Sequence, residues 1–278
     1  ILRAFHFSTV LGILMLPSKM SKERSGMTAL VTGASSGIGR DIARELSRRG
    51  YDLILAARRR DRLEELAAEL PTRCRVIPVD LADEKSCRQL HTQLKDEPVD
   101  ILINNAGLGV FGPFAQSSLD LELRMIVTNI RAMHILTKLF LRDFLRRDRG
   151  YILNVSSSAA FLPGPLLASY YASKAYVLRL TEAVHEEIRR KGSCVYIGAL
   201  CPGPVKTEFD RVAGVHCSMK GLDSGEVART AVSGMFRRQM LIIPGLSMKI
   251  ARQLLRFLPE QPLLRIAYHL QAGKARRY

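Results

Sequence analysis

The sequence predicts an α/β chain: a doubly wound parallel sheet in a single domain, followed by a basic helical C-terminal tail. Three observations predict it. Apolar runs of strand length recur along the chain, stretches with helical apolar spacing separate them, and a glycine-rich turn joins the first run to the first helix. Strands that are apolar on both faces belong in a parallel sheet covered by helices on each side, and such sheets bind ligands outside the carboxyl ends of their strands.

In chain order the strand runs are Ala29–Thr32, Leu53–Ala57, Val76–Val79, Ile101–Asn104, Tyr151–Val155 and Val195–Leu200. Ile42, Ala43 and Leu46, and then Leu63, Leu66, Ala67 and Leu70, recur at helical spacing between them. A long helix is expected from about Leu119 to Arg147, with Ser118 as N-cap and Asp120 and Glu122 in the first turn. A second is expected from Tyr170 to Lys191, stopped by Gly192. Residues 205–225 read as a polar, glycine-containing loop, of a length that commonly serves as a lid or binding segment. The tail from Leu246 to Tyr278 returns to helical spacing, with a break at Pro259–Pro262. The domain reading is therefore residues 1–26 as an N-terminal extension, 27–245 as the catalytic domain and 246–278 as the tail. The apolar stretch Ile1 to Pro17 is too short to span a bilayer, which takes ~20 residues; an upstream extension and a weak membrane anchor are its two readings.

At 278 residues the chain is long enough to bury a sizeable core as one domain. Cys74, Cys87, Cys194, Cys201 and Cys217 form no CxxC and have no histidine at ligand spacing, which predicts free thiols, a reducing and hence cytoplasmic setting, and no metal site. The formal charge of +16 raises the question of an acidic partner. Its arginine clusters sit mostly beside helix ends, where cations complement the dipole and stay solvated. With no recognition module, nucleic acid is not an expected partner.

The first strand runs into Thr32-Gly33-Ala34-Ser35-Ser36-Gly37-Ile38-Gly39, and a helix follows. Glycines allow a tight turn and let backbone N–H groups approach a pyrophosphate, to which the helix N-terminus adds positive potential. This TGxxxGxG spacing resembles the short-chain dehydrogenase/reductase family, and the resemblance covers roughly residues 28–243. It implies a Rossmann-like fold and a nicotinamide cofactor held by Gly33, Ser35, Ser36, Gly37, Ile38 and Gly39. The second strand ends in Ala57-Arg58-Arg59, with no acid before Asp61 to accept from a ribose 2′-hydroxyl. Arg58 instead offers a guanidinium to a 2′-phosphate, so NADP(H) is the expected cofactor. By the same resemblance Asp80 and Leu81 lie against the adenine, and Asn105, Ala106 and Gly107, within the family's NNAG motif, admit the cofactor. Pro202, Gly203, Val205 and Thr207, after the sixth strand, face the nicotinamide carboxamide.

Tyr170 and Lys174 stand four apart on one helix face, Ser157 lies thirteen residues before Tyr170, and Asn129 lies in the preceding long helix. Reducing a carbonyl develops alkoxide charge, which needs a donor and a proton. An ordinary tyrosine titrates near ~10, and a neighbouring ammonium favours its phenolate. The resemblance assigns Tyr170 as acid/base, Ser157 as the carbonyl-polarising donor, Lys174 as the group that tunes Tyr170 and holds the nicotinamide ribose, and Asn129 as support for a water relay. Both Tyr170 and Lys174 also belong to the expected cofactor contacts.

The expected activity is NADPH-dependent interconversion of a ketone or aldehyde and an alcohol. Phe209, Val212, Val215, Met219 and Leu222 in the loop after Thr207 suggest a lipophilic substrate, such as a 3-oxoacyl chain or a steroid-like ketone. The alternative is a catalytically silent NADP(H)-binding regulatory protein; such relatives typically lose the tyrosine or lysine that this chain keeps. Lys249, Arg252, Arg256, Arg265, Lys274, Arg276 and Arg277 interleave with apolar residues in the tail, which suits a membrane surface, an acidic carrier protein or packing on the domain itself. The resemblance also implies a homo-oligomer, paired through the two long helices.

Overall fold

The structure is a computed structural model, and it describes residues 26–214, 221–255 and 257–273. The 1–25 segment lies outside the described residues, as do Val215, Cys217, Met219, Arg256, Lys274, Arg276, Arg277 and the side chain of Val212.

Seven parallel strands form one sheet: β1 (Thr28–Thr32), β2 (Asp52–Ala57), β3 (Cys74–Pro78), β4 (Val99–Asn104), β5 (Tyr151–Val155), β6 (Tyr196–Leu200) and β7 (Leu241–Ile242). Their spatial order is β3-β2-β1-β4-β5-β6-β7, so the winding reverses between β1 and β4. That reversal opens a crevice at the carboxyl ends of the strands.

The pleat sends alternate residues to opposite faces, and both faces are buried. Val31, Leu53, Leu55, Ile101 and Ile103 pack against helices α1 (Gly37–Arg48), α2 (Arg60–Glu69) and α8 (Ser224–Phe236) through Ile42, Leu46, Leu63, Leu66, Val232 and Met235. Leu30, Ile54, Leu102, Ile152 and Ile197 pack on the other face against α3 (Glu84–Gln93), α5 (Met133–Arg146) and α6 (Ala168–Arg190) through Cys87, Leu90, Leu136, Phe140, Phe144 and Ile188. Each fully buried aliphatic side chain contributes about 1.5–3 kcal/mol, so the two clusters hold the sheet edge that carries the site.

The expected elements are present, with four differences. The third strand begins at Cys74, two residues before the apolar run, because Cys74 and Arg75 extend the pairing with Leu53 and Ile54. The two-residue β7 escapes a periodicity reading altogether. The long helix, capped by Ser118 as expected, is α4 (Leu119–Ile126), a π-helical turn at Val127–Ala132, and then α5. Finally, the stretch expected as loop contains a short helix, α7 (Glu208–Ala213), with a parallel bridge between Val205 before it and Leu222 after it.

The tail forms α9 (Leu246–Leu255) and α10 (Glu260–Ala272); of the expected break at Pro259–Pro262 only Pro259 lies outside the helix, as its N-cap, and Pro262 sits in the first turn, where a missing N–H is tolerated. It is docked on the domain. Met248 packs with Phe161 and Ile243, Arg252 lies 5.4 Å from the Phe161 ring centroid, and α10 buries Leu263, Ala267 and Gln271 along one seam. Leu246, Ile250, Leu254 and Phe257 face outward. No helix among the described residues is long and apolar enough to cross a membrane. Cys74, Cys87, Cys194 and Cys201 are free thiols.

Candidate active site

The crevice is a cavity of about 400 Å³ running from the glycine-rich turn to Tyr170. Its first wall is backbone. Gly33 (φ +66°) and Gly37 (φ +55°) occupy the left-handed region, and a Cβ on Gly33 would come within 2.8 Å of the Ala106 Cα. Ser36 caps α1 by backbone position only, with no side-chain bond to the first-turn amides. Helical amides left without side-chain caps beside a glycine turn suit an anionic pyrophosphate. Of the predicted turn residues, Gly33, Ser35, Ser36, Gly37 and Ile38 line the cavity. Gly39 does not. It lies behind the turn, where a Cβ would fall 2.2 Å from Asn105 Nδ2 and 2.6 Å from the Gly33 carbonyl oxygen.

Strand ties hold this wall. Thr32 Oγ1 donates to the Ile103 carbonyl and accepts from the Asn105 and Ala106 amides; Asn105 Nδ2 donates to the carbonyls of Thr32 and Gly33. Asn104 Nδ2 bonds Asn154 Oδ1 at 2.9 Å and Thr137 Oγ1 at 3.0 Å, joining β4 to β5 and α5. Arg58, Asp80, Leu81, Asn105, Ala106, Gly107, Pro202, Gly203, Val205 and Thr207 all line the cavity.

At the other end Ser157, Tyr170 and Lys174 line the same space. Ser157 follows β5 and its Oγ accepts from the Ala159 amide at 3.1 Å, which leaves the hydroxyl hydrogen available to donate. Lys174 is buried, its Nζ donating to the Val155 carbonyl at 3.0 Å and standing 5.8 Å from the Tyr170 ring centroid. Burial pushes its ammonium down to about 8. The same environment raises the Cys201 thiol to about 12, chiefly by desolvation.

Asn129 is not a wall residue. It sits in the π-helical turn, buried one layer behind, with Nδ2 donating to the Leu108 carbonyl and Ser173 Oγ and Oδ1 accepting from the Leu108 amide. Both donor hydrogens are committed to protein, so it positions the Leu108 strand-end segment and α6 instead of presenting its amide to the cavity. π-helical turns inside α-helices frequently mark functional sites.

The short chain dehydrogenase family profile matches residues 27–215. The chain belongs to the short chain dehydrogenase family. The chain is 34% identical over 195 residues to the human very-long-chain 3-oxoacyl-CoA reductase, covering 67% of this chain and 62% of that protein. It is 34% identical over 200 residues to a short chain dehydrogenase of Pseudocercospora fijiensis, covering 69% and 64%. It thus spans under two thirds of the length of these curated relatives. A short-chain dehydrogenase from Sphingobium yanoikuyae, solved with NADPH, superposes with a TM-score of 0.75 at 32% identity, covering 84% of this chain and 97% of that one. The bulky-bulky ketone specific alcohol dehydrogenase of Comamonas testosteroni gives 0.70 at 31%, covering 84% and 96%.

In this short chain dehydrogenase the cavity has further walls that motif reading did not find. Arg59, one residue past Arg58, bonds Ser35, Ser36 and Glu208; Arg124 from α4 bonds Asp80 Oδ2 at 2.7 Å. Leu108, Leu167 and Tyr171 add apolar surface beside Tyr170, joining Phe209, expected from the sequence at the substrate end, whose ring stands 5.2 Å from the Tyr170 ring. The doublet Arg58-Arg59 and the row of acids and bases around them were signals in the sequence; their partners were not.

Proposed function

We propose that the protein is an NADP(H)-dependent oxidoreductase that interconverts a lipophilic ketone or aldehyde with its alcohol. The observation that carries the reading is the placement of Ser157, Tyr170 and Lys174 on one cavity whose far end is the glycine-rich turn and the N-terminus of α1. A nicotinamide dinucleotide held along it would supply or accept the hydride. The Tyr170 hydroxyl transfers its proton to the carbonyl oxygen as charge develops there, and the Ser157 hydroxyl donates to the same oxygen. Lys174 favours the phenolate that remains and holds the nicotinamide ribose. Pro202, Gly203, Val205 and Thr207 would hold the nicotinamide, while Asp80 and Leu81 would hold the adenine.

Arg58 carries the preference for the 2′-phosphate, as no acid stands at the end of β2 to accept from a ribose hydroxyl. Leu167, Tyr171 and Phe209 give the substrate end an apolar wall, which supports a 3-oxoacyl chain or a bulky ketone.

The test is nicotinamide absorbance with purified protein, NADPH or NADH, and a panel of 3-oxoacyl thioesters and bulky ketones. Wild type is expected to consume NADPH preferentially, Tyr170→Phe to lose about 10²–10⁴-fold in rate, and Arg58→Ala to raise the KM for NADPH while leaving that for NADH unchanged. Equal turnover by wild type and Tyr170→Phe would overturn the reading.

A further inference from the structure

Arg59 and Arg62 approach one carboxylate from the adenosine end of the cavity. Arg59 Nη1 donates to Glu208 Oε2 at 3.0 Å and Arg62 Nη1 to Glu208 Oε1 at 2.8 Å. The rest of the Arg59 guanidinium faces the glycine-rich turn, where Nη2 donates to Ser36 Oγ at 2.9 Å and to Ser35 Oγ at 3.2 Å. Arg58, Arg59, Ser35 and Ser36 all line the cavity. Glu208 opens α7 directly after Thr207, and α7 covers the substrate end: Phe209 packs on Tyr170, and the Ala213 carbonyl accepts from the Phe111 amide at 3.1 Å. One ion pair therefore spans the cavity, tying the element over the catalytic tyrosine to the arginines beside the phosphate cradle.

We propose that Glu208 is an internal anion that holds α7 down on Arg59, and that the 2′-phosphate of the cofactor competes with it for that guanidinium. This rests on the NADP(H) reading and adds a coupling between the two ends of the site. A phosphate has the stronger claim, with up to two charges and three acceptor oxygens against the single charge of a carboxylate. The two arginines hold the Glu208 carboxyl down to about 2, Arg62 contributing more than Arg59, so it is a charged competitor throughout the working pH range. The pair is partly exposed, with 40% of the Arg59 side chain and 29% of that of Glu208 accessible, so its strength is that of a surface ion pair and a cofactor can displace it.

The test uses the full chain, with adenosine 2′,5′-bisphosphate and 5′-AMP as probes, titrated by calorimetry and followed by amide hydrogen exchange over residues 208–213. In wild type the bisphosphate, and not 5′-AMP, is expected to raise exchange in 208–213. Glu208→Gln keeps the size and hydrogen-bonding capacity and removes the charge. It is expected to tighten bisphosphate binding about fivefold, the equivalent of an exposed ion pair of about 1 kcal/mol, leave 5′-AMP within twofold, and show high exchange in 208–213 before any nucleotide is added. Arg62→Met, which loosens Glu208 without touching Arg59, should shift the same readouts in the same direction by less. If wild type binds both nucleotides equally, the NADP(H) reading falls and this coupling with it. If wild type prefers the bisphosphate while Glu208→Gln changes neither its affinity nor the exchange of 208–213, the coupling alone is overturned.

Discussion

Lys174 is a buried cation at the wall of the cavity, and this makes a prediction with a definite sign. Its ammonium titrates at about 8 in the folded chain against an ordinary 10.5, a difference of about 3 kcal/mol between the two protonation states. Desolvation is the leading cause, and the Nζ donates to the Val155 carbonyl at 3.0 Å. Between these two values the unfolded chain holds the lysine proton and the folded chain does not. The unfolded state then binds more protons, so the free energy of unfolding rises with pH across that window. Below about pH 8 the folded protein carries a buried charge and bears most of the penalty. Lys174→Met removes the titration while keeping an unbranched side chain of similar length. In urea unfolding of cofactor-free protein, wild type is expected to gain up to about 3 kcal/mol on the Met variant between pH 7 and pH 10.5. The kcat/KM of wild type should fall over the same range as the ammonium beside Tyr170 is lost. Parallel stability profiles for the two proteins would refute the buried-charge argument.

Two further outcomes follow from the packing. Gly39→Ala drives a methyl into Asn105 Nδ2 and toward the Gly33 carbonyl, so the turn must shift; cofactor affinity measured by calorimetry should drop at least tenfold, although Gly39 itself faces away from the cavity. Phe144→Ala empties a fully buried site between the sheet and Arg147, whose guanidinium lies 4.9 Å from the ring centroid, and should cost about 3–5 kcal/mol in denaturant unfolding with little change in KM.

The strands, the two long helices and most of the site were legible because the chemistry is local. The glycine turn needs consecutive residues, Tyr170 and Lys174 need one helix face, and continuous apolar runs reveal strands buried on both sides. What was hidden depends on contacts between distant segments. Arg59 and Glu208 meet across 149 positions, Arg124 reaches Asp80 across 44, and neither pairing leaves a periodic trace. β7 pairs through only two residues and therefore has no pattern to detect. Asn129 was named by its position in the long helix, yet its orientation depends on the π-helical turn, which turns its amide toward Leu108 and Ser173.

The site is expensive for the fold to maintain, and the expense is confined to the end that holds Ser157, Tyr170 and Lys174. Lys174 carries a desolvated ammonium, Leu166 adopts a left-handed φ of +64° just before α6, and a π-helical turn interrupts the helix that bears Asn129. Left-handed backbone at a branched residue costs of order 1–3 kcal/mol and persists only where surrounding structure fixes it. Here the Leu166 carbonyl accepts from the Gly112 amide at 2.9 Å, and Leu167 is buried against Phe209 and Ala213. The adenosine end, by contrast, uses backbone amides, serines and exposed arginines, none of which is strained or desolvated to a comparable degree. Under the proposed function, strain and desolvation are concentrated where proton transfer would need a fixed geometry, while cofactor selection would fall to partly exposed groups able to exchange partners. On that division, substitutions at Arg58, Arg59 or Glu208 should alter nucleotide preference with little effect on unfolding, whereas changes at Lys174 should alter unfolding and turnover and leave the preference between NADPH and NADH unchanged.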